Sequence, residues 1–224
     1  MPRRSLRAPR PSQVSLGALS LLLAAGLLAA CGKSPAPAGD GKTPFKPRPG
    51  ARFAVLKTSK GTIKAMLYAR EVPATVAVFT GLAEGTRVWT DPKTGRKVSG
   101  KRYYDGLTFH RVVPGFMIQT GDPTAKGGGG AGFTFKDEFR KDLKFDRPGM
   151  LGMANWGPDT GNGQFFITLA SRPDLNGMHT VFGEVISGLS AAHAIAEVPR
   201  DEFDSKDKPL KPVYLESVTV KDKP

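Results

Sequence analysis

In the C-terminal half of this 224-residue chain, apolar residues recur in short runs separated by glycine, proline, asparagine or aspartate. Runs of roughly four to eight residues are long enough for a β-strand and short for a helix. Beyond residue 130 these runs are Phe133–Phe135, Met150–Ala154, Gln164–Leu169, Val181–Ile186 and Val213–Val220. Several short strands at near-regular spacing predict a mainly β domain, either a closed barrel or a sandwich.

Other stretches add a hairpin and two helices to this prediction. Polar and apolar residues alternate in Arg52–Thr58 and in Thr62–Tyr68, on either side of a short turn, which predicts a hairpin. Pro73 opens a pattern of apolar residues at spacings of three and four that ends at Gly85, a typical residue just after a helix. Among the later stretches, Leu189–Val198 has a helical pattern.

The N-terminal residues have the parts of an export signal. Met1–Arg10 holds four arginines and no acid, Val14–Ala30 is apolar, and small residues precede Cys31. The apolar run is short for a transmembrane helix, which needs about 20 residues. Leu-Ala-Ala-Cys at its end resembles a bacterial lipobox, in which the cysteine becomes the lipidated first residue. We therefore predict a lipoprotein signal peptide at residues 1–30 and lipidation at Cys31, with a plain secretory signal or an uncleaved anchor as the alternative.

Residues 31–50 and residues 51–224 differ in composition. The first segment is rich in proline and glycine and predicts an extended tether, whereas the second is long enough for one domain with its own core. The formal net charge is +13, but the lysines are dispersed. We interpret most of these lysines as a solvated face. Because an exported, membrane-tethered location argues against nucleic acid, anionic lipid head groups or an anionic envelope are the simpler partners. We expect an exported protein, anchored by lipid to a bacterial membrane and facing the periplasm or the cell surface, with no need for more than a monomer.

The stretch Phe109–Asp122, FHRVVPGFMIQTGD, contains a charge within an apolar run. Arg111 lies in the first of two apolar runs that flank Pro114-Gly115, a dipeptide that marks a turn. A guanidinium stays charged and presents its N–H groups in a rigid fork, so Arg111 could be a fixed donor at the edge of an apolar surface. The alternative is an edge-strand arginine whose stem covers the core while its charge reaches water.

Several classes of active site lack the residues that they need. The three histidines, His110, His179 and His193, include no pair at metal-ligand spacing, so we predict neither a metal site nor a cofactor. No Gly-x-Ser-x-Gly sequence is present for a serine nucleophile. The run Gly127–Gly130 is not followed by the Lys-Ser/Thr of a phosphate-binding loop. We interpret it as a flexible or tightly turned loop.

Three later segments supply amides and apolar side chains. They are Met150–Asn155, Gly163–Thr168 and Leu175–Gly183. Strand alternation predicts that Gln164 and Phe166 share one face while Phe165 lies on the other. Together with Arg111 they offer a cationic fork, amides and apolar surface, but no acid or nucleophile. Such a set suits the binding of an apolar peptide segment by shape and backbone hydrogen bonds.

The stretches FHRVVPGFMIQTGD, MLGMANWGPDTGNGQFFIT and LNGMHTVFGEV are similar to the three signature stretches of the cyclophilin family of peptidyl-prolyl isomerases. The likeness covers about Arg52 to Val220. The resemblance implies a closed eight-stranded antiparallel β-barrel capped by two α-helices, with Arg111 as the catalytic residue. The substrate-binding residues that it implies are Phe116, Met117, Phe166, Leu175 and His179 for the proline ring, and Gln119, Ala154, Asn155 and Gln164 for the adjoining peptide groove.

Two positions depart from the family pattern, and the run Gly127–Gly130 is richer in glycine than the usual loop of the family. Asp174 lies where many eukaryotic members have a tryptophan, which argues against strong cyclosporin binding. Trp156 follows Asn155 where a small residue is common, so we expect a groove that is narrower or more aromatic.

The function implied by the resemblance is cis-trans isomerisation of Xaa-Pro bonds in proline-containing peptides and in unfolded exported proteins. The alternative is a proline-peptide binding module or holdase chaperone with little turnover. Arg111 favours the enzyme, because binding of a proline ring needs an apolar pocket and no cation.

Overall fold

The computed structural model describes residues 47–201 and 207–224. The predicted signal peptide, the lipidation site Cys31 and the tether up to residue 46 lie outside the described residues, so these interpretations stay predictions. Within the described ranges, no helix combines the length and the apolar character needed to cross a membrane.

The described part of the chain forms thirteen strands, two α-helices and one 3₁₀-helix. In chain order they are β1 (Arg52–Thr58), β2 (Gly61–Leu67), α1 (Pro73–Glu84), β3 (Trp89–Thr90), β4 (Lys97–Val98), β5 (Leu107–Thr108), β6 (Arg111–Val113), β7 (Met117–Thr120), β8 (Met150–Met153), β9 (Phe165–Thr168), the 3₁₀-helix (Pro173–Leu175), β10 (Val181–Ser187), α2 (Leu189–Ala196), β11 (Arg200–Asp201), β12 (Lys208–Pro209) and β13 (Tyr214–Lys221). The predicted hairpin and both predicted helices are confirmed, although α2 ends two residues earlier than predicted.

The prediction of a strand at Phe133–Phe135 is wrong. Phe135 makes only an isolated bridge with Gly161, and the Phe133 ring lies under the guanidinium of Arg87, 4.5 Å from its Cζ. This apolar run therefore packs in a loop. The four later runs are strands, as predicted.

The main sheet has nine strands and is an open, strongly curled half-barrel, so the expectation of a closed eight-stranded barrel is wrong. The strand order is β5-β13-β1-β2-β10-β8-β9-β7-β6. The two edge strands, β5 and β6, are consecutive in the chain and are separated only by Phe109 and His110, which belong to no strand. One continuous stretch of chain thus supplies both edges of the sheet, and no ladder of backbone hydrogen bonds joins β5 to β6.

The aromatic core fixes the strands that carry the site. Phe79 of α1 lies with its ring centre 5.1 Å from that of Tyr104 and 5.3 Å from those of Phe165 and Phe182. All four side chains are fully buried. Because successive residues of a strand point to opposite faces, burying Phe165 in this core turns Phe166 to the other face of β9. The predicted alternation is confirmed.

Candidate functional site

One cavity of about 650 Å³ brings the predicted site residues together. Its walls come from the stretch that runs from His110 through β6 and β7 into the following loop, from the loop after β8 and from β9, from the 3₁₀-helix and the loop that follows it, and from β12. All ten predicted residues line it: Arg111, Phe116, Met117, Gln119, Ala154, Asn155, Gln164, Phe166, Leu175 and His179. The sequence prediction thus named residues that share one site, while the role of each stays a prediction.

The strand register aligns part of the site in one row. Arg111 pairs with Gln119, Gln119 with Phe166, and Phe166 with Gly152, across β6, β7, β9 and β8. Directly paired residues of antiparallel strands project from the same face of a sheet. A Cβ atom at position 152 would lie 2.2 Å from Cζ of Phe166, so glycine leaves the room that this ring occupies.

The apolar end of the cavity is formed by rings in fixed contact. Phe166 is 5% exposed, stacks on Phe145 and meets the His179 ring edge-on with ring centres 5.3 Å apart. Burial lowers the pKa of His179, against the opposing effect of a hydrogen bond with the Met153 carbonyl. Since a carbonyl only accepts, Nδ1 of His179 donates to it over 3.1 Å. Neutral His179 therefore has an unprotonated Nε2.

Two guanidinium groups lie over the Phe116 ring. Arg111 has its Cζ 5.8 Å from the ring centre, and Arg172 has its Cζ 3.8 Å from it. Arg172 is held by Asp174, to which its Nε and one terminal nitrogen donate over 2.8 and 2.6 Å. The Arg111 side chain is 40% exposed, and its Nε lies 3.6 Å from a carboxylate oxygen of Asp207. Asp174 thus fixes a second cation over the Phe116 ring, at the edge of the cavity.

The opposite end of the cavity is bounded by the glycine loop, residues 124–130. Gln119 donates to the side-chain oxygen of Gln164 over 2.9 Å. The amide nitrogen of Gln164 donates in turn to the carbonyls of Gly127 and Gly129, over 3.0 and 2.6 Å. Gln164 is 2% exposed. A buried amide therefore connects the strand row to the glycine loop.

Asp122 lies two residues before this loop, is almost completely buried, and accepts hydrogen bonds from the backbone of the loop. Its carboxylate accepts from the backbone N–H groups of Thr124 and Gly127 at 2.7 Å and of Gly129 at 3.1 Å. Burial alone would raise the pKa of Asp122, but the hydrogen bonds from the backbone and hydroxyl of Thr124 and from the Gly129 N–H, together with nearby His110, outweigh it and the pKa is lowered. A Cβ atom at position 129 would lie 2.0 Å from Oδ1 of Asp122. The glycine run is thus a tight turn around a carboxylate.

Asn155 and Trp156 form the rim beside the apolar end. The side-chain amide of Asn155 donates to the Met178 carbonyl over 2.8 Å. The backbone N–H of Trp156 donates to Oγ1 of Thr160 over 2.8 Å. Trp156 is 69% exposed and Met178 is 59% exposed. Local hydrogen bonds therefore hold a loop that presents a large aromatic side chain to solvent at the cavity entrance.

Sequence reasoning missed several residues that line the cavity. They are His110, Ala125, Lys126, Gly127, Asn162 and Lys208. Strand alternation would place His110 and Arg111 on opposite faces, but His110 lies in the break between β5 and β6, so both reach the cavity. His110 is buried, and neither ring nitrogen has a hydrogen-bond partner among the described residues. Burial lowers the pKa of His110, against the opposing effect of the Asp122 carboxylate.

The lining residues contain no carboxylate, and three of them, Arg111, Lys126 and Lys208, are cations. Throughout residues 47–201 and 207–224, no three His, Cys, Asp or Glu side chains are grouped as a metal site would require. The chemistry that the cavity offers is therefore hydrogen-bond donation beside an apolar pocket.

Comparison with known proteins identifies relatives over the same part of the chain. The family model for cyclophilin type peptidyl-prolyl cis-trans isomerases matches residues 53–220. Peptidyl-prolyl cis-trans isomerase A of Mycobacterium tuberculosis is 47% identical over 167 residues, which cover 75% of this chain and 91% of the relative. Peptidyl-prolyl cis-trans isomerase B of Streptomyces anulatus is 47% identical over 170 residues, covering 75% and 95%.

A solved structure with a similar fold comes from Cryptosporidium parvum. The crystal structure of its cyclophilin type peptidyl-prolyl cis-trans isomerase has a TM-score of 0.66 at 31% identity, and covers 78% of this chain and 99% of that protein. A second crystal structure, obtained in the presence of the dipeptide Ala-Pro, has a TM-score of 0.63 at 32% identity, with 75% and 98% covered.

Proposed function

The chain belongs to the cyclophilin-type peptidyl-prolyl cis-trans isomerase family and is a peptidyl-prolyl cis-trans isomerase, and from this premise we propose that Arg111 catalyses the reaction and that the protein assists the folding of exported proteins at a bacterial cell envelope. The observation that carries the proposed site is that Arg111 and all nine proposed binding residues line one cavity. The Cryptosporidium relative crystallised in the presence of Ala-Pro supports proline peptides as the ligand class.

The proposed catalytic step needs a donor and no proton transfer. Rotation about an Xaa-Pro bond disrupts amide resonance and meets a barrier of about 18–20 kcal/mol. At the twisted geometry the proline nitrogen becomes pyramidal and regains a lone pair. An N–H of Arg111 directed at that nitrogen stabilises the transition state more than either planar ground state, and so lowers the barrier.

The remaining residues bind and orient the substrate in this proposal. Phe116, Met117, Phe166, Leu175 and His179 enclose the proline ring, and Gln119, Ala154, Asn155 and Gln164 hold the flanking peptide. Two of these side chains are already fixed, since Phe166 is packed against Phe145 and Gln164 is bonded to the glycine loop. A preorganised site of this kind loses little side-chain entropy when the peptide binds.

Replacement of the proposed catalytic arginine tests the site. We expect Arg111→Ala to lower kcat/KM about 10²–10³-fold in a protease-coupled isomerisation assay on a short Xaa-Pro peptide, because one preorganised donor is lost. Arg87→Ala is the matched control, since Arg87 also lies over a phenylalanine ring but does not line the cavity. Undiminished kcat/KM in a folded Arg111→Ala variant would exclude Arg111 as the catalytic residue.

The cellular part of the proposal rests on the lipobox-like sequence that ends at Cys31. We expect the full chain to incorporate labelled palmitate in a bacterial host and to sediment with membranes, and Cys31→Ser to do neither. Light scattering of the soluble Cys31→Ser chain checks the proposed monomer. Membrane association of Cys31→Ser at high salt would show that attachment does not need the lipid.

A second candidate function, binding of unfolded chains with little turnover, is favoured by the exposed apolar rim. Trp156 and Met178 are both more than half exposed beside the cavity. Suppression of aggregation of an unfolded test protein, measured with the wild type and Arg111→Ala, separates the two functions. Equal suppression by both proteins, with slow isomerisation by both, would favour the binding module.

A further inference from the structure

The strand that carries Arg111 is bonded to a residue from a distant part of the chain. The backbone N–H of Val112, in β6, donates to the carbonyl of Asp207 over 2.8 Å. Asp207 directly precedes β12, which pairs with β11. The backbone of Asp207 is therefore fixed beside the proposed catalytic arginine, although about a hundred residues separate them in sequence.

The Asp207 carboxylate lies between two guanidinium groups. One oxygen is 3.6 Å from Nε of Arg111 and the other is 3.7 Å from Nε of Arg200. The Asp207 side chain is 25% exposed. Because the Asp207 carboxylate attracts Arg111 at Nε, the two terminal nitrogens of the Arg111 guanidinium remain available to a substrate in the cavity.

The backbone of Asp207 adopts a conformation that is unfavourable for most residues. Its φ is 47°, in the left-handed region, which among the described non-glycine residues is shared only with Ala125 and Asp159. Aspartate and asparagine tolerate this region better than other side chains do. Such strained residues cluster at functional sites, where the surrounding structure maintains them. Ala125, another residue in this region of backbone conformation, lines the cavity itself.

We propose that Asp207 is a positioning residue that orients the Arg111 guanidinium towards the substrate through its carboxylate. The inference rests on the proposed catalytic role of Arg111. Without the negative charge, the guanidinium groups of Arg111 and Arg200 lose the carboxylate that attracts both, and the Arg111 fork is free to rotate. Misplacement of a donor weakens its bond to the transition state more than it weakens substrate binding.

Kinetics of Asp207→Asn in the full chain test this role. Asparagine tolerates the same backbone conformation and removes the charge. We expect kcat to fall about two- to fivefold with KM changed less than about twofold, as for the loss of a partly exposed ion pair that orients a catalytic group. Asp105→Asn is the matched control, because Asp105 pairs with Nε of Arg102 at 3.4 Å with similar exposure and neither residue lines the cavity.

A double-mutant cycle separates positioning from a purely structural effect. If Asp207 acts through Arg111, Asp207→Asn should cause no further loss in an Arg111→Ala background. The NMR signal of Arg111 Nε–H should shift in Asp207→Asn and stay in place in Asp105→Asn. An inactive wild type, or an Arg111→Ala variant as active as the wild type, would refute the proposed role of Arg111. Loss of activity in Arg111→Ala with full activity in Asp207→Asn would refute the positioning role alone.

Discussion

The two ends of the cavity are held in place by different kinds of interaction. The strand row Arg111, Gln119, Phe166 and Gly152 is set by backbone ladders across four adjacent strands. The glycine loop at the other end belongs to no strand and is shaped by the buried side chains of Asp122 and Gln164. The positions of the residues in the row are set by the strand register, which many backbone hydrogen bonds maintain together. The conformation of the loop, in contrast, depends on a few polar side chains. The loop end should therefore respond more strongly to single substitutions.

The largest effect is expected when the carboxylate at the loop end is removed. Asp122→Ala leaves the buried N–H groups of Thr124, Gly127 and Gly129 without their acceptor. We expect the free energy of unfolding to fall by about 3–5 kcal/mol, because each unsatisfied donor costs about 1–3 kcal/mol and some regain water. Urea denaturation followed by circular dichroism measures the loss.

Asp122→Asn keeps the size of the side chain and removes its charge, so it tests how much of the stabilisation by Asp122 comes from the charge. It keeps one acceptor oxygen, so we expect a smaller loss of stability than in Asp122→Ala. The lowered pKa of Asp122 makes its ionised form stabilising above the unfolded-state pKa of about 3.9, and this contribution is lost as pH falls through the lower folded-state pKa. The stability difference between wild type and Asp122→Asn should therefore shrink below about pH 4. A difference that is independent of pH would contradict the role of the charge.

A smaller effect is expected for a methyl group added inside the loop. A Cβ atom on Gly129 would overlap Oδ1 of Asp122 at 2.0 Å, whereas a Cβ atom on Gly128 would meet nothing within 4 Å. We expect Gly129→Ala to lower the free energy of unfolding by about 1–3 kcal/mol, as overpacking does. It should also lower kcat/KM, because the loop bounds the cavity.

Gly128→Ala is the matched control for this substitution, since it adds the same methyl group one residue away. We expect its free energy of unfolding to stay within about 0.5 kcal/mol of the wild type. Equal destabilisation by the two alanines would mean that loss of glycine flexibility, and not contact with Asp122, controls this loop.

The parts of the fold that follow local rules were predictable from the sequence. Pro73 and Gly85 mark the two ends of α1, because proline suits the first helical turn and glycine suits the left-handed residue after the last one, here with φ 77°. Period-two alternation placed Phe165 in the core and Phe166 in the cavity. The family resemblance named the ten site residues that line one cavity.

The parts that were missed depend on contacts between distant segments. That the sheet stays open could not be predicted from strand number, because β5 and β6, one stretch of chain, supply both edges without pairing with each other. Lys208 and Asp207 reach the site only because β12 lies beside β6. The glycine run left open whether the loop is flexible or tight. The Asp122 hydrogen bonds are local, but the Gln164 amide that also holds the loop lies 35 to 37 residues away from the carbonyls to which it donates. No local pattern encodes these pairings.

The smallest effect on stability is expected at Trp156, which is anchored through its backbone and leaves its side chain in solvent. Because this side chain is 69% exposed, Trp156→Ala should change the free energy of unfolding by less than about 0.5 kcal/mol. The side chain lines the entrance of the cavity, so its loss removes apolar surface from the flanking groove. We expect KM for Xaa-Pro peptides with an aromatic flanking residue to rise about threefold while kcat is retained, as for uniform binding.

Trp156→Phe should retain most of the affinity, and Tyr214→Ala, which removes a 45% exposed aromatic side chain that does not line the cavity, should leave KM unchanged. An unchanged KM in Trp156→Ala for every flanking residue would show that the rim does not contact the peptide. A fall in kcat with constant KM would instead indicate that Trp156 fixes the rim beside the apolar end. In that case the apolar end, like the loop end with its buried Asp122 and Gln164, would depend on a single side chain.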